Sequence, residues 1–184
     1  MALEHSHGLP DGSVRQTAFE AELLRKAITG RISDDAWRME VLNQLQRSHP
    51  GSNARAAVKA WSVSTGVVNP AVLSVVRQAR KQVKVVLVTN ATSRLQSDLT
   101  ALGLLGEFDA VVNSSVVGAV KPDELIYRAA LRSAGAAPEQ ALLVDDSKAN
   151  VEAARRFGIR ALHYENEASM IQFLRDHHVL RDAN

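Results

Sequence analysis

The sequence predicts an α/β fold: a doubly wound parallel sheet carrying a small helical cap. Three observations predict it. The second half of the chain alternates β-branched apolar runs with amphipathic stretches, the rhythm of strands joined by right-handed helical crossovers. The runs Val83–Val88 and Ala141–Val144 are apolar on both faces, as strands covered by helices on both sides must be. The first half, from about Val14 to Trp61, has helical periodicity and no convincing strand.

Each element has its own signal. Residues 1–12 are polar and carry Gly8, Pro10 and Gly12, so they read as a loose lead-in. Phe19, Leu23 and Leu24 mark a first helix. Ser33 before Asp34 and Asp35 starts a second, with acids in the positively polarised first turn. Trp37, Val41 and Leu45 then fall on one face, and Pro50 and Gly51 end the helix. A shorter helix covers Ala54 to Trp61. Residues 13–65 thus form a helical cap and 66–184 a Rossmann-like core. In the core, Pro70 opens a helix that ends near Lys81, and Val83–Val88 follows as a strand. Leu95, Leu99 and Leu102 line a helix stopped by Gly103. Asp109–Val112 is a short strand. Pro122 sits in the first turn of a helix that runs to Ser133, and Gly135 closes it. Strand Ala141–Val144, helix Lys148–Phe157, strand Ile159–Tyr164 and a last helix Met170–Arg175 complete the chain.

Composition narrows the function. The 184 residues allow one domain, or one domain with a small insertion. The net charge is +2, from 22 basic and 20 acidic side chains, and no Lys/Arg block is long enough for a nucleic-acid footprint. With no cysteine there is no disulfide framework and no thiolate chemistry. The first residues lack the basic and apolar regions of a signal peptide, and no run approaches a membrane span of ~20 apolar residues. The expectation is a cytoplasmic protein with no nucleic-acid or membrane partner. The six histidines show no ligand spacing, and Trp37 and Trp61 read as packing within the cap.

In doubly wound sheets, ligands bind outside the carboxyl ends of the strands. Those ends carry Thr89–Asn90, Asn113–Ser115 and Asp145–Asp146, with Lys121 on the same rim. Two adjacent carboxylates repel unless a cation lies between them or one stays protonated, and Mg2+ is the simplest resolution. Asp146 is the favoured ligand, with Asp145 as second ligand or hydrogen-bond partner. Thr89 supplies a hydroxyl, and the N–H groups of Asn90 and Ala91 open a helix, a cradle for an anion. Lys121 is a point positive charge for a phosphate oxygen. Asn150 is either a site residue or a surface amide. The set suits phosphoryl transfer to water from a small phosphorylated substrate.

These residues, in this order, resemble the haloacid dehalogenase-like (HAD) hydrolase superfamily. VVLVTN is similar to its second motif, VGAVKPDELIYRAAL to its third, and LLVDDSKANVEAARRFGI to its fourth. The last is closest to the phosphatase domain of soluble epoxide hydrolases and to small sugar-phosphate phosphatases. The likeness covers about Pro70 to Tyr164, and ITGRISDDAW resembles part of the small helical cap of that subgroup. It implies Mg2+-dependent phosphomonoester hydrolysis through an aspartyl-phosphate. In this family the cap closes over the site and selects the substrate.

One motif is missing. The family's first motif is an apolar strand ending in Asp-x-Asp, which supplies the nucleophile and the general acid and base. Leu9-Pro10-Asp11-Gly12 mimics only its tail: Leu9 stands in the nucleophile's place, the preceding residues are polar, and Pro10 cannot donate to a central ladder. The missing strand belongs between Val83–Val88 and Ala141–Val144. Unpaired buried backbone groups there cost on the order of 1–3 kcal/mol each. The expectation is a shortened hydrolase, probed by looking for the motif upstream of Met1 and inactive as given. The gap would be filled by further residues, by a partner chain, or by direct pairing of the flanking strands, and it favours a homodimer. Two other readings stay open: a haloacid dehalogenase, against which the acidic pair weighs, and a non-catalytic regulatory or dimerising module.

Overall fold

The computed structural model describes residues 2–63 and 66–181. The expected cap boundary at 65 and the end of the core at 182–184 fall outside the described residues. The first half is helical: α1 (Ala2–His5), α2 (Ser13–Ala18), α3 (Ala21–Ile28), α4 (Asp34–Ser48) and α5 (Ala54–Val63). The second half runs α6 (Pro70–Arg80), β1 (Val86–Thr89), α7 (Leu95–Ala101), β2 (Ala110–Asn113), α8 (Ser114–Val117), α9 (Glu124–Ala134), β3 (Leu142–Asp145), α10 (Lys148–Arg156), β4 (Arg160–His163) and α11 (Glu167–Asp176). The α/β, Rossmann-like class holds.

Local chemistry explains the boundaries. Ser33 caps α4, its hydroxyl accepting the Ala36 N–H at 3.1 Å ahead of Asp34 and Asp35. Asn69 caps α6 in the same way, with Pro70 at the first helical position. Gly135 ends α9 with φ 69°, a left-handed conformation that costs glycine nothing.

The sheet departs from a continuous one. β1 pairs in parallel with β2, setting Thr89 opposite Asn113, and β3 pairs in parallel with β4, setting Asp145 opposite His163. These form two separate two-stranded sheets. Direct pairing of β1 with β3, one expected way of closing the gap, does not occur. The two halves are nevertheless built into one layer. Ile126 and Tyr127 of α9 and Val151 and Ala154 of α10 share a single buried cluster with Val112 and Ala161. A second cluster belongs to the helical half and joins Val14, Leu23, Trp37, Val41, Leu45 and Val58. Trp37 is anchored inside it by an indole N–H donated to Ala18 O.

Several expectations need correction. The lead-in is not loose: Leu9 is 2% exposed within the helical cluster. The Glu4 carboxylate accepts the N–H groups of Gly12 and Val14, and Asn53 N–H donates to His7 O. These polar residues lack an apolar period because their order comes from side chain–backbone bonds. β1 starts at Val86, three residues later than expected. α9 starts at Glu124, capped by Asp123, and Pro122 stands outside it behind a cis peptide bond. α11 is longer than expected at both ends.

Candidate active site

The carboxyl ends of β1 and β3 converge on Lys121. Its ammonium donates to Asp145 Oδ2 at 2.7 Å, with side-chain exposures of 14% and 4%. The Asn90 side chain grips the Lys121 backbone from both sides: Nδ2 donates to Lys121 O at 3.0 Å, and Lys121 N–H donates to Oδ1 at 2.8 Å. A residue of the β1 rim thereby sets the lysine that reaches β3. Thr89, the last residue of β1, precedes this clamp directly.

Asp145 is fully committed. Its Oδ1 accepts from Ser147 N–H and from Asn150 Nδ2, both at 2.9 Å, while Oδ2 takes Lys121. Burial pushes its carboxyl up, but the bonds from Lys121, Asn150 and Ser147 outweigh burial and hold it below the usual carboxylate range. Asn150 is not a surface amide: it is buried at the start of α10 and held by Tyr127, whose hydroxyl donates to Asn150 O at 2.8 Å. Asp146 is exposed, and its carboxylate makes no hydrogen bond or ion pair among the described residues.

The donor chemistry tests the expected Mg2+ site. Mg2+ takes one or two carboxylates, keeps several waters and shares substrate phosphate oxygens. Asp146 fits that role. Both Asp145 oxygens already accept from protein donors, Oδ1 from Ser147 N–H and Asn150 Nδ2 and Oδ2 from Lys121. Among the described residues, no group of three or more His, Asp or Glu could hold a metal.

The expected anion cradle also changes. Ala91 N–H donates to Ser114 Oγ at 3.0 Å, and no helix begins until Leu95. Of the two N–H groups expected to face an anion, Ala91's is occupied. Asn90 acts here through its amide on Lys121.

Sequence reasoning missed the residues that seat the helical half on the core. Ser114, fully buried, donates to Ile28 O at 2.6 Å while accepting from Ala91. Asp34 was legible only as a helix-start acid. Its carboxylate accepts from Thr92 Oγ1 at 2.7 Å and from Arg38, and its N–H donates to Ser93 Oγ. Asn113 adds Nδ2 to Thr92 O. Both strand-end loops are thus tied to the helical half. The position of Asn113–Ser115 at a strand end was the available signal.

The sequence pattern of the haloacid dehalogenase-like hydrolases matches residues 11–158. The chain belongs to the haloacid dehalogenase-like hydrolase family. This family member is 39% identical over 85 residues to the phosphoserine phosphatase of Thermus thermophilus, a match covering 45% of this chain and 34% of that protein. It is 28% identical over 146 residues to the phosphoglycolate phosphatase of Pseudomonas putida, covering 76% of this chain and 50% of that one. The chain spans a half or less of the length of these curated relatives. A HAD family enzyme from Bacteroides thetaiotaomicron, solved with magnesium and inorganic phosphate, superposes with a TM-score of 0.72 at 15% identity, covering 88% of this chain and 90% of that one. That likeness shows the fold. No helix among the described residues is long and apolar enough to cross a membrane.

Proposed function

We propose that this chain is the helical cap, about 13–65, and the core of a Mg2+-dependent phosphomonoester hydrolase that works through an aspartyl-phosphate, with the nucleophile outside residues 1–184. The observation that carries the reading is the clamp Asn90–Lys121–Asp145, a fixed ammonium at the meeting point of two strand ends. Asp145 holds Lys121 in place, and the remaining ammonium protons face an anion. Thr89 supplies a neutral hydroxyl donor for a second phosphate oxygen. Asp146, uncommitted, would hold Mg2+, which when bound neutralises charge on the transferred phosphoryl group. The relatives' names, phosphoserine phosphatase and phosphoglycolate phosphatase, support a small phosphorylated substrate.

Two titrations test it. Inorganic phosphate should bind the 184-residue chain in the presence of Mg2+ by isothermal titration calorimetry. Lys121→Met should abolish that binding, and Asp146→Asn should remove its Mg2+ dependence. A generic phosphomonoester should not be turned over by this chain. Turnover would contradict the placement of the nucleophile, and phosphate binding indifferent to both substitutions would remove the phosphatase reading.

A further inference from the structure

A cavity of about 520 Å³ lies on the seam between the helical half and the core. Asp34, Asp35 and Arg38 line it from α4 and Ser62 from α5. Ser93, Arg94 and Ser97 close it from the loop after β1 and from α7. Ligand pockets of this size are usually walled by apolar and aromatic side chains. Every described residue lining this one carries a polar side chain, so it suits a small, strongly polar occupant.

Both guanidinium groups are held in place. Arg38 donates Nε and Nη2 to the Asp34 carboxylate and Nη1 to Ser62 Oγ at 2.9 Å. Its Cζ also stands 5.5 Å and 4.7 Å from the ring centroids of Trp37 and Trp61, a cation–π contact with each. Arg94 donates Nε to Asp98 and Nη1 to Ser62 O at 2.7 Å. A guanidinium is a planar fork of N–H donors, and each of these keeps some beyond its protein bonds. Asp34 is spent on Arg38 and Thr92. Asp35 differs: it is exposed, and its carboxylate makes no hydrogen bond or ion pair among the described residues. The uncommitted groups thus carry both signs, spare N–H donors on one side and an open carboxylate on the other. The lining holds two acids and two arginines, so a simple anion or cation finds no net charge to draw it in.

We propose that this seam cavity binds a free α-amino acid with a short polar side chain. The ligand's carboxylate takes the spare N–H donors of Arg38 and Arg94, a geometry that a planar fork matches. Its ammonium faces Asp35, and the hydroxyls of Ser93 and Ser97 border its side chain. Because the two arginines are already fixed by Asp34, Asp98 and Ser62, little ordering remains to oppose binding. The occupant touches α4 and α7 together and braces the helical half against the core. The inference does not rest on the hydrolytic reading, since no residue of the Asn90–Lys121–Asp145 clamp lines the cavity.

L-Glutamine, titrated into the 184-residue chain and followed by proton–nitrogen correlation spectra, tests it. The backbone amides of Ser62, Ser93 and Ser97 and the Arg94 Nε–H should shift to saturation. Glutaramate, which lacks the ammonium, and γ-aminobutyramide, which lacks the carboxylate, should each bind about tenfold more weakly or worse. Bound glutamine should also raise the melting temperature. Asp35→Asn should melt as the wild type does without ligand, because Asp35 anchors no neighbour among the described residues, and should lose about tenfold in affinity. Arg94→Gln should lose at least as much. Absence of a saturable shift, equal binding of the single-charge analogues, or wild-type affinity in Asp35→Asn would overturn the proposal.

Discussion

Replacing Lys121 by methionine removes the ammonium and keeps most of the apolar stem. In the wild type, the Asp145 carboxylate is 4% exposed and receives three donors. The variant leaves it with the Ser147 N–H and Asn150, and with no compensating charge. Removing one partner of a buried ion pair costs about 3–5 kcal/mol, and the two surviving hydrogen bonds place this case near 3 kcal/mol. The assay is urea unfolding at a series of pH values. The folded-state pKa of Asp145 is depressed, so its stabilising contribution is present above the unfolded value of about 3.9 and is lost as pH falls through the folded value. In Lys121→Met the lysine's hydrogen bond and charge no longer lower it, and the carboxyl moves up. The difference between wild type and variant should therefore be full at neutral pH and shrink in acid, where a protonated Asp145 needs no counter-charge. Adding Asp145→Asn should restore part of the loss, giving a double variant more stable than the sum of the single effects. A loss below about 1 kcal/mol at neutral pH, the worth of an exposed pair, would refute the reasoning. A loss equal at all pH values would refute it as well.

The other predictions concern the frame around the site. Leu9→Ala should cost about 2–5 kcal/mol in chemical denaturation, because Leu9 is 2% exposed in the helical core; a loss under 1 kcal/mol would return the lead-in to a loose tail. Gly30→Ala should be far worse than Gly12→Ala. Both glycines have positive φ, but a Cβ at Gly30 would come 2.0 Å from Ser115 O, whereas nothing lies within 4 Å of one at Gly12. Thermal melts should show the strain of the left-handed conformation alone, about 1–2 kcal/mol, for Gly12→Ala and a clearly larger loss for Gly30→Ala. Burial, and then the negative charge of Asp145, push the Tyr127 phenol up to about 12. Spectrophotometric titration should place one of the two tyrosines there. Tyr127→Phe should remove that step and cost about 1 kcal/mol through loss of the phenol's hydrogen bond to Asn150 O.

Much of the core was legible because its signals are local. β-branched runs apolar on both faces marked the strands around Val86–Val88 and Leu142–Val144. Capping residues such as Ser33 and Asn69 belong to the segments they start. The rim residues were found by topology alone, since parallel strands must present their carboxyl ends on one side, and Lys121 and Asp145 do meet there. The division of labour between the two acids was not legible. Asp145 and Asp146 differ by one position, and successive residues at a strand end face opposite ways. One therefore turns inward to three donors and the other outward to solvent. Asn90 was expected to offer its backbone N–H to an anion; that its side chain binds the Lys121 backbone 31 positions away is something no local pattern encodes.

The sequence by itself determined the family, the order of helices and strands, and the chemical types gathered on the rim, because each depends on periodicity or on motifs within a few residues. Only the tertiary structure decided which side chains neutralise one another, how Asp34 and Ser114 seat the helical half on the core, and that β1 and β3 stay apart. Those outcomes depend on distances between segments far apart in the chain, set when helices α9 and α10 bury their apolar faces under two half-sheets and hold them there.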